Sequence, residues 1–450
     1  MDSLNSLKLF FLSQRRLSRG GIWAAAGKFS TLFLGIILNT LLARLLTPEE
    51  LGSYLLVFSI VNLSAVIGHL GLGRTSVKLV AESMGLGQPG RARYSISLIL
   101  PLAVVGACLS AIIAGGGGPW IARILFNSKI IADSLALAAL WAAAVTFKSV
   151  LVEIFRGFHS ILYSEIFTDL GFRLLMVPAL AGLWFAKSPV TFEQVVVLSL
   201  ALALFVTLVG TILLGRQVNL LPREYLDDGD SPTLRTVLLD SSSIWLSMLL
   251  LSVQGHAVVW LLAAFTSPGE VALYYAAFQL ASLIGFSLLV LQSVLPPVIA
   301  EMYARRQLPG LESVLQRGAF LAFLPSALIF LGLLLGGKSV LTVLYGEYYQ
   351  HAYGFLVILC CGQLLNVWTG LSGETLFQTG HQKLVIIITT LGTGLAIVGS
   401  LLLVEYYEGM GIMLSITIST IFMNALALLF VRGRMGIWTC AKFVMKRSHT

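Results

Sequence analysis

Two basic residues lie inside long apolar stretches of the chain, where a charge is costly. Lys28 stands about 9 Å along a helix that begins near residue 22, and Arg173 about 12 Å into one that begins near residue 165. A cation at the centre of a membrane helix costs about 2.5–3.5 kcal/mol on insertion scales, so both residues are functional candidates. Each could bind a phosphate group. Alternatively, Lys28 reaches the lipid headgroups and Arg173 forms an i,i+4 ion pair with Asp169.

Polar side chains recur at helical spacing in several apolar stretches. Asn39 follows Lys28 on one such face, through Thr31 and Gly35. The other stripes are Ser59, Asn62 and His69; Gln279 and Ser282; Ser241, Trp245, Ser252 and His256; and Gln363, Asn366, Gly370 and Glu374. Hydrogen bonds between packed helices explain such stripes, and so does a hydrated cavity that binds sugar hydroxyls. The sequence leaves both explanations open.

Coupling to an ion gradient would require a buried carboxylate. The carboxylates in or beside the apolar stretches are Asp133, Glu153, Asp169, Asp240 and Glu374. All lie near the ends of these stretches, where a helix cap or an interfacial charge accounts for them. Asp169, Asp240 and Glu374 are therefore only weak candidates for ion coupling. The sequence carries no metal-ligand spacing and no phosphate-binding glycine loop, so we predict no metal, no cofactor and no enzyme activity.

Composition indicates the class of protein that must position these residues. The chain of 450 residues is 57% hydrophobic and 11% charged, with a mean hydropathy of +0.90. Such values are typical of a multi-pass membrane protein. Helices are required because unpaired backbone groups in lipid cost several kcal/mol each, and no alternating strand pattern is visible. The four cysteines fit small buried hydrophobic residues rather than disulfides.

Apolar stretches long enough to cross a bilayer recur twelve times. The predicted spans are 22–46, 51–72, 94–114, 132–155, 165–185, 192–214, 239–265, 271–295, 319–335, 352–373, 384–404 and 409–431. We divide them into an N-terminal lobe of six helices (1–214), a connection (215–236), a C-terminal lobe of six helices (237–431) and a basic tail (432–450). The spans around residues 132–185 have the least distinct boundaries.

The basic residues predict the orientation of these spans. Of the 29 Lys and Arg residues, 22 fall on one side of the predicted membrane, Lys148 among them, and five fall on the other. The positive-inside rule then places both termini in the cytoplasm. The net charge of +8 is therefore explained by topology, and we exclude nucleic acid as a partner. The tail could also contact anionic membrane lipids.

A self-similarity at a shift of 220 residues joins the two predicted lobes. It aligns 47–90 with 267–310 and pairs Pro48 with Pro268 and Tyr54 with Tyr274. The identities fall at turns and on one helical face. Because each half has six spans, both halves enter the membrane in the same direction, as in a parallel repeat.

Four stretches together resemble a known family. They are Leu45-Leu46-Thr47-Pro48-Glu49-Glu50-Leu51-Gly52-Ser53-Tyr54, Leu70-Gly71-Leu72-Gly73, the end of 297–306 at Glu301-Met302-Tyr303-Ala304-Arg305-Arg306, and Glu374-Thr375-Leu376-Phe377-Gln378-Thr379-Gly380-His381. Their order and spacing resemble the polysaccharide transporters of the multidrug, oligosaccharidyl-lipid and polysaccharide exporter superfamily. The resemblance covers nearly the whole chain.

The resemblance implies a function. Members of that family flip undecaprenyl-diphosphate-linked oligosaccharides across the bacterial inner membrane, so we expect a flippase in that membrane that works by alternating access for surface or exopolysaccharide assembly. The implied partners are the lipid-linked oligosaccharide, membrane lipids, and polysaccharide polymerase and ligase machinery. The candidate substrate-binding residues are Lys28, Asn39, Asn62, Arg173, His256, Gln279, Gln363 and Asn366. An ion-coupled drug antiporter and a membrane polysaccharide polymerase or ligase are the alternatives.

Overall fold

The computed structural model describes residues 15–117, 129–222 and 232–442, and the regular structure in these ranges is helical. The α-helices are α1 (Arg15–Leu45), α2 (Pro48–Gly68), α3 (Leu72–Gly85), α4 (Pro89–Ile112), α5 (Lys129–Gly157), α6 (Ile161–Glu165), α7 (Gly171–Phe185), α8 (Phe192–Asn219), α9 (Leu234–Phe265), α10 (Pro268–Val294), α11 (Pro296–Ala304), α12 (Leu308–Tyr345), α13 (Tyr353–Thr369), α14 (Ser372–Gln378) and α15 (Gln382–Met435). Two π-helical segments (Ile113–Gly117 and Ile166–Leu170) and one 3₁₀ segment (Glu347–Ala352) complete the list. Residues 223–231 of the predicted connection and 443–450 of the predicted tail lie outside the described ranges.

The long helices confirm an all-α multi-pass membrane protein. In the described residues, 11 helical stretches are long and apolar enough to cross a membrane. The difference from the predicted twelve lies in α15, whose 54 residues contain a non-helical residue at Glu408 (φ 47°, ψ −134°). This residue falls in the predicted gap between the last two spans. The two parts of α15 therefore stand where the sequence predicts spans eleven and twelve.

The duplicated stretches start helices in the same way. The α2 and α10 helices begin at Pro48 and Pro268, 220 positions apart. The side-chain oxygen of Thr47 accepts a hydrogen bond from the backbone of Glu50 at 3.3 Å, and that of Ser267 accepts one from Glu270 at 3.4 Å. Such N-caps satisfy backbone donors that a helix start leaves open. The repeat in the sequence is thus a repeat of local structure.

The described residues fall into two compact units. The first unit runs from Phe33 to Ala272, and the second combines the chain up to Leu32 with the chain from Leu273 onward. This partition places α9 in the first unit and the start of α1 in the second. It differs from the boundaries predicted for the two lobes at 1–214 and 237–431, which remain a prediction about the repeat.

Within the first unit, α9 packs antiparallel to α2 through tryptophan hydrogen bonds. The indole N–H of Trp245 donates to the carbonyl oxygen of Ile67 at 3.1 Å, and that of Trp260 donates to Ser59 Oγ at 2.7 Å. Ser241 Oγ, near the start of α9, lies 2.8 Å from Thr75 Oγ1. Lipid tails are as apolar as leucine, so such bonds and close packing hold membrane helices together. Three stripe residues of the sequence therefore serve helix packing.

The starts of α2 and α10 touch in the same unit. A β-carbon built on Gly52 would lie 1.7 Å from the carbonyl oxygen of Pro268 and 2.4 Å from its carbonyl carbon. Only a residue without a side chain fits this approach. Pro268 is the repeat partner of Pro48, so the two copies of the duplicated stretch are in direct contact here.

A compact core lies among the helices α3, α4, α5 and α8 of the first unit. Its buried members include Leu72, Val80, Ile96, Ile99, Leu151, Phe155 and Phe167. Trp141 of α5 is 2% exposed and packs against the rings of Tyr54 and Phe58, with centroids 6.1 and 5.9 Å away. Tyr54 also hydrogen-bonds Ser199 of α8 at 3.1 Å. The motif around Tyr54 therefore ties α2 to two neighbouring helices.

The second unit holds the segment that follows α15 against two other helices, α12 and α13. The backbone N–H of Trp438 donates to Glu312 Oε1 at 3.0 Å. Thr439 Oγ1 donates to the carbonyl oxygen of Thr369 at 2.9 Å, and the backbone N–H of Ala441 donates to the carbonyl oxygen of Trp368 at 2.7 Å. The guanidinium of Arg432 stands 5.4 Å from the centre of the Trp438 ring. The start of the basic tail is therefore packed into the protein.

Replacing Glu312 with alanine should release this segment. Hydrogen bonds to charged groups contribute about 1.5–3 kcal/mol, and the change removes the acceptor of Trp438. Burial raises the pKa of the Cys440 thiol, with a further increase from the negative charge of Glu312. Release should therefore make this thiol severalfold more reactive towards maleimide at neutral pH, measured by mass spectrometry of its peptide. The exposed Glu193→Ala change is the control, and equal rates in both variants would contradict the prediction.

Candidate functional site

The fifth predicted span is broken in its first half. The short helix α6 leads into the π-helical segment Ile166–Leu170, and α7 follows. Thr168 has a non-helical ψ of −124°. The N–H of Gly171 donates to the carbonyl of Ile166, and a β-carbon at this position would lie 2.4 Å from that oxygen. Glycine at position 171 therefore permits the close backbone approach of the π-helical turn that precedes α7.

Aromatic packing fixes the broken span against α5. Phe167 is 6% exposed, and its ring stacks on Phe155 with centroids 5.6 Å apart. The ring of Tyr163 also packs against Phe155, at the same centroid distance. Segments of π-helix inside α-helices occur frequently at functional sites. Irregular backbone at membrane depth is tolerated where protein or a water-filled cavity surrounds it.

Lys148 reaches the break from α5. The count of basic residues places Lys148 on the cytoplasmic side, although the predicted span 132–155 contains it. It lies within α5, nine residues before the helix ends at Gly157. Its side chain is only 12% exposed. The ammonium nitrogen donates to the carbonyl of Thr168 at 3.0 Å and lies 3.9 Å from Asp169 Oδ1. Correspondingly, the count of basic residues on the predicted cytoplasmic side falls by one.

The cluster formed by Lys148, Asp169 and Arg173 is the candidate site. The charges of Asp169 and Arg173 both act on the Lys148 ammonium, the first attracting it and the second repelling it. Two cations and one carboxylate leave one net positive charge. The Asp169 side chain is 62% exposed. Because a carboxylate against acyl chains is costly, this face of the broken span must border water, and an anion could reach the cations there.

The other predicted site residues of the first unit are spread over several helices. Asn62 donates its side-chain N–H to the carbonyl of Phe58 one turn earlier, at 2.7 Å. Asn39 of α1 and His256 of α9 are half-buried. The side chain of Asp240 lies outside what the structure describes. Two predicted residues, Asp169 and Arg173, act on one shared neighbour, Lys148.

The second unit contains the remaining predicted residues. Lys28 is half-buried on α1. Gln279 of α10 is 9% exposed. The amide oxygen of Gln363 would lie 3.0 Å from a β-carbon on Gly285, which places this α13 residue directly on α10. Asn366 is half-buried one turn further along α13. Glu374 accepts a hydrogen bond from the amide of Gln378 at 2.6 Å.

Residues of these types are able to bind anions and sugar hydroxyls. Guanidinium and ammonium groups bind phosphate, the guanidinium with two parallel hydrogen bonds. Side-chain amides such as those of Gln279 and Gln363 both donate and accept, as sugar hydroxyls require. In the described residues, no group of three or more His, Cys, Asp or Glu side chains is placed to hold a metal ion.

A family comparison decides what kind of protein this is. A model of the family described as "Polysaccharide biosynthesis protein" matches residues 17–303. The chain belongs to the polysaccharide biosynthesis protein family. This confirms the family resemblance found in the four sequence stretches. The matched range includes the whole of the candidate site, the first copy of the duplicated stretch and most of the second.

Several solved transporter structures share the fold of this polysaccharide biosynthesis family protein. An inward-facing multidrug resistance MATE family transporter of the MOP superfamily has a TM-score of 0.69 and 16% identity, covering 90% of this chain and 94% of its own. The lipid II flippase MurJ in an inward closed conformation has a TM-score of 0.67 and 13% identity, covering 91% and 87%. A MOP superfamily transporter from Pyrococcus furiosus has a TM-score of 0.66 and 17% identity, covering 93% and 95%. A search of curated protein sequences returned no significant match.

Proposed function

We propose that this protein flips an undecaprenyl-diphosphate-linked oligosaccharide from the inner to the outer leaflet of the cytoplasmic membrane. Its family membership in polysaccharide biosynthesis and its transporter fold support the proposal. The observation that carries it is the charge cluster at the broken span, where Lys148 and Arg173 offer cations beside an exposed face. The product would serve surface or exopolysaccharide assembly, with a polymerase and a ligase acting after export.

The cations make the passage of a diphosphate energetically tolerable. Burying an unpaired charge is expensive unless a partner is supplied. In the resting protein Asp169 partly neutralises the cluster, and a diphosphate can take its place. The lipid tail stays in the bilayer while the two repeats alternate in opening towards either side. In this arrangement both termini are cytoplasmic, which follows the distribution of basic residues.

Reconstitution into vesicles tests the proposal. Purified protein is mixed with liposomes that contain a lipid-linked oligosaccharide, and a glycosidase added outside reports the glycan exposed on the outer leaflet. We expect complete cleavage with the protein and about half in protein-free vesicles, since the lipid starts evenly distributed. Cleavage that stays at half with well-folded protein would exclude flipping. In cells, a null strain should accumulate the glycolipid on the cytoplasmic leaflet.

The same vesicles distinguish the other candidate functions. An ion-coupled drug antiporter would expel a fluorescent drug when a sodium or proton gradient is applied, without moving the glycolipid. A polymerase or ligase would change the mass of the glycan, whereas a flippase moves it intact. Mass analysis of the lipid-linked glycan before and after incubation therefore separates these outcomes.

A further inference from the structure

The ammonium group of Lys148 closes the break in the fifth span. At Thr168, inside the π-helical segment Ile166–Leu170, the backbone leaves helical geometry (ψ −124°). The Lys148 amine, on a different span, donates to the carbonyl of Thr168 at 3.0 Å. Each backbone group left unsatisfied at membrane depth costs several kcal/mol. The lysine therefore supports the bent backbone from outside the helix itself.

The same ammonium also faces the candidate anion site. It lies 3.9 Å from Asp169 Oδ1, a longer contact than its hydrogen bond to Thr168. Asp169 is 62% exposed, whereas Lys148 is 12% exposed, so a ligand from water meets the carboxylate first and the ammonium behind it. A phosphate oxygen carries a charge opposite to that of the ammonium, whereas the carbonyl of Thr168 is neutral, so the phosphate is the stronger acceptor for Lys148. A phosphate that reaches Lys148 can therefore draw it away from Thr168.

We propose that Lys148 is a positioning residue that holds the fifth span bent and releases the bend when a phosphate group binds beside Arg173. The proposal deepens the proposed function, on which it rests for the identity of the ligand as a lipid diphosphate. The bend and the anion compete for one ammonium group. A ligand shifts a conformational equilibrium only by its difference in affinity for the two states, and this competition supplies the difference.

The bend can be measured with spin labels on either side of the break. Leu162 and Leu174 are 62% and 48% exposed. Each is replaced by a labelled cysteine in the full chain, with the four native cysteines changed to alanine and the protein in nanodiscs. The probe is inorganic pyrophosphate, with sulfate as the ionic-strength control. We expect pyrophosphate, but not sulfate, to change the distance between the labels in the otherwise unchanged protein.

Lysine variants test the role of the ammonium. The Lys148→Met variant keeps the length of the side chain without its charge, so it should show the changed distance without pyrophosphate and bind pyrophosphate at least tenfold more weakly. The Lys148→Arg variant should restore the response in part. The exposed Lys338→Met change should leave both measurements unaltered.

Two results would overturn the proposal. One is a Lys148→Met protein that keeps the original distance and responds to pyrophosphate normally. The other is an unchanged protein whose distance does not respond at all, a result that stands even if the Met variant fails to fold. The spin-label measurement uses pyrophosphate and does not depend on glycolipid transport. If the distance responds to pyrophosphate but the protein flips no glycolipid, only the proposed function is rejected. Flipping without any response of the bend would reject only the role of Lys148.

Discussion

Replacing Gly52 with alanine should strongly reduce the yield of folded protein. The added β-carbon would lie 1.7 Å from the carbonyl oxygen of Pro268, and real β-carbons essentially never come within 3.0 Å of such an atom. The obstacle is backbone, so no flexible side chain can move aside. Overpacking of this kind typically costs about 1–3 kcal/mol and occasionally more. Its neighbours Leu51 and Ser53 are buried, which leaves α2 little room to shift.

The yield of monodisperse protein after detergent extraction and its melting temperature measure the effect. Gly182→Ala is the matched control, because nothing lies within 4 Å of a β-carbon there and alanine favours a helix by about 1 kcal/mol over glycine. That variant should be as stable as the unchanged protein or slightly more so. The repeat partner of Gly52 is Ala272, so the requirement comes from the contact with Pro268 and not from the motif. An equal melting temperature for Gly52→Ala would refute this interpretation.

Exchanging Arg173 for glutamine should abolish flipping while leaving the protein folded. The change removes one of the two cations of the cluster and leaves Lys148 with Asp169, so the site loses its net positive charge. A diphosphate would then enter without a full counter-charge. We expect a loss of at least about 100-fold in the flipping rate, which corresponds to about 2.7 kcal/mol at 1.36 kcal/mol per factor of ten.

The vesicle assay with lipid-linked oligosaccharide provides the measurement. Arg173→Lys should retain part of the activity, since a lysine preserves the charge but not the paired hydrogen bonds of a guanidinium. Arg305→Gln is the control because Arg305 also has a carboxylate one turn away, Glu301 at 2.8 Å, but its side chain is 65% exposed. Its activity should be unchanged. Normal flipping by a folded Arg173→Gln protein would remove this residue from the site.

Much of the fold could be predicted because the residues that make a membrane helix lie within one continuous stretch of the sequence. Apolar length fixes the spans, and Pro48 and Pro268 mark helix starts through their fixed backbone angle and the caps before them. The predicted edges are less accurate. The ninth span was predicted as 319–335, whereas α12 runs from Leu308 to Tyr345. A helix continues into polar residues as long as its hydrogen bonds are satisfied. The length of the apolar stretch therefore underestimates the length of the helix.

The candidate site could be predicted only in part. Arg173 and Asp169 were found because charges are rare in apolar stretches. Their i,i+4 spacing suggested a pair within one regular helix, whereas the ion pair described for Asp169 is with Lys148 on α5. Periodicity assumes an unbroken helix and does not reveal the non-helical Thr168. The charge count placed Lys148 outside the membrane although the predicted span 132–155 contains it, and no local sequence pattern shows that its side chain reaches Thr168.

The packing of α9 on α2 also bears on how the protein is made. The partners in its two tryptophan bonds are separated by 178 and 201 residues in the chain. During synthesis, α2 enters the membrane long before Trp245 and Trp260 leave the ribosome. The first repeat must therefore wait in the bilayer, with part of its surface uncovered, until the second repeat begins to be translated. A gene truncated after residue 222 should yield a product that membrane quality-control proteases recognise and degrade.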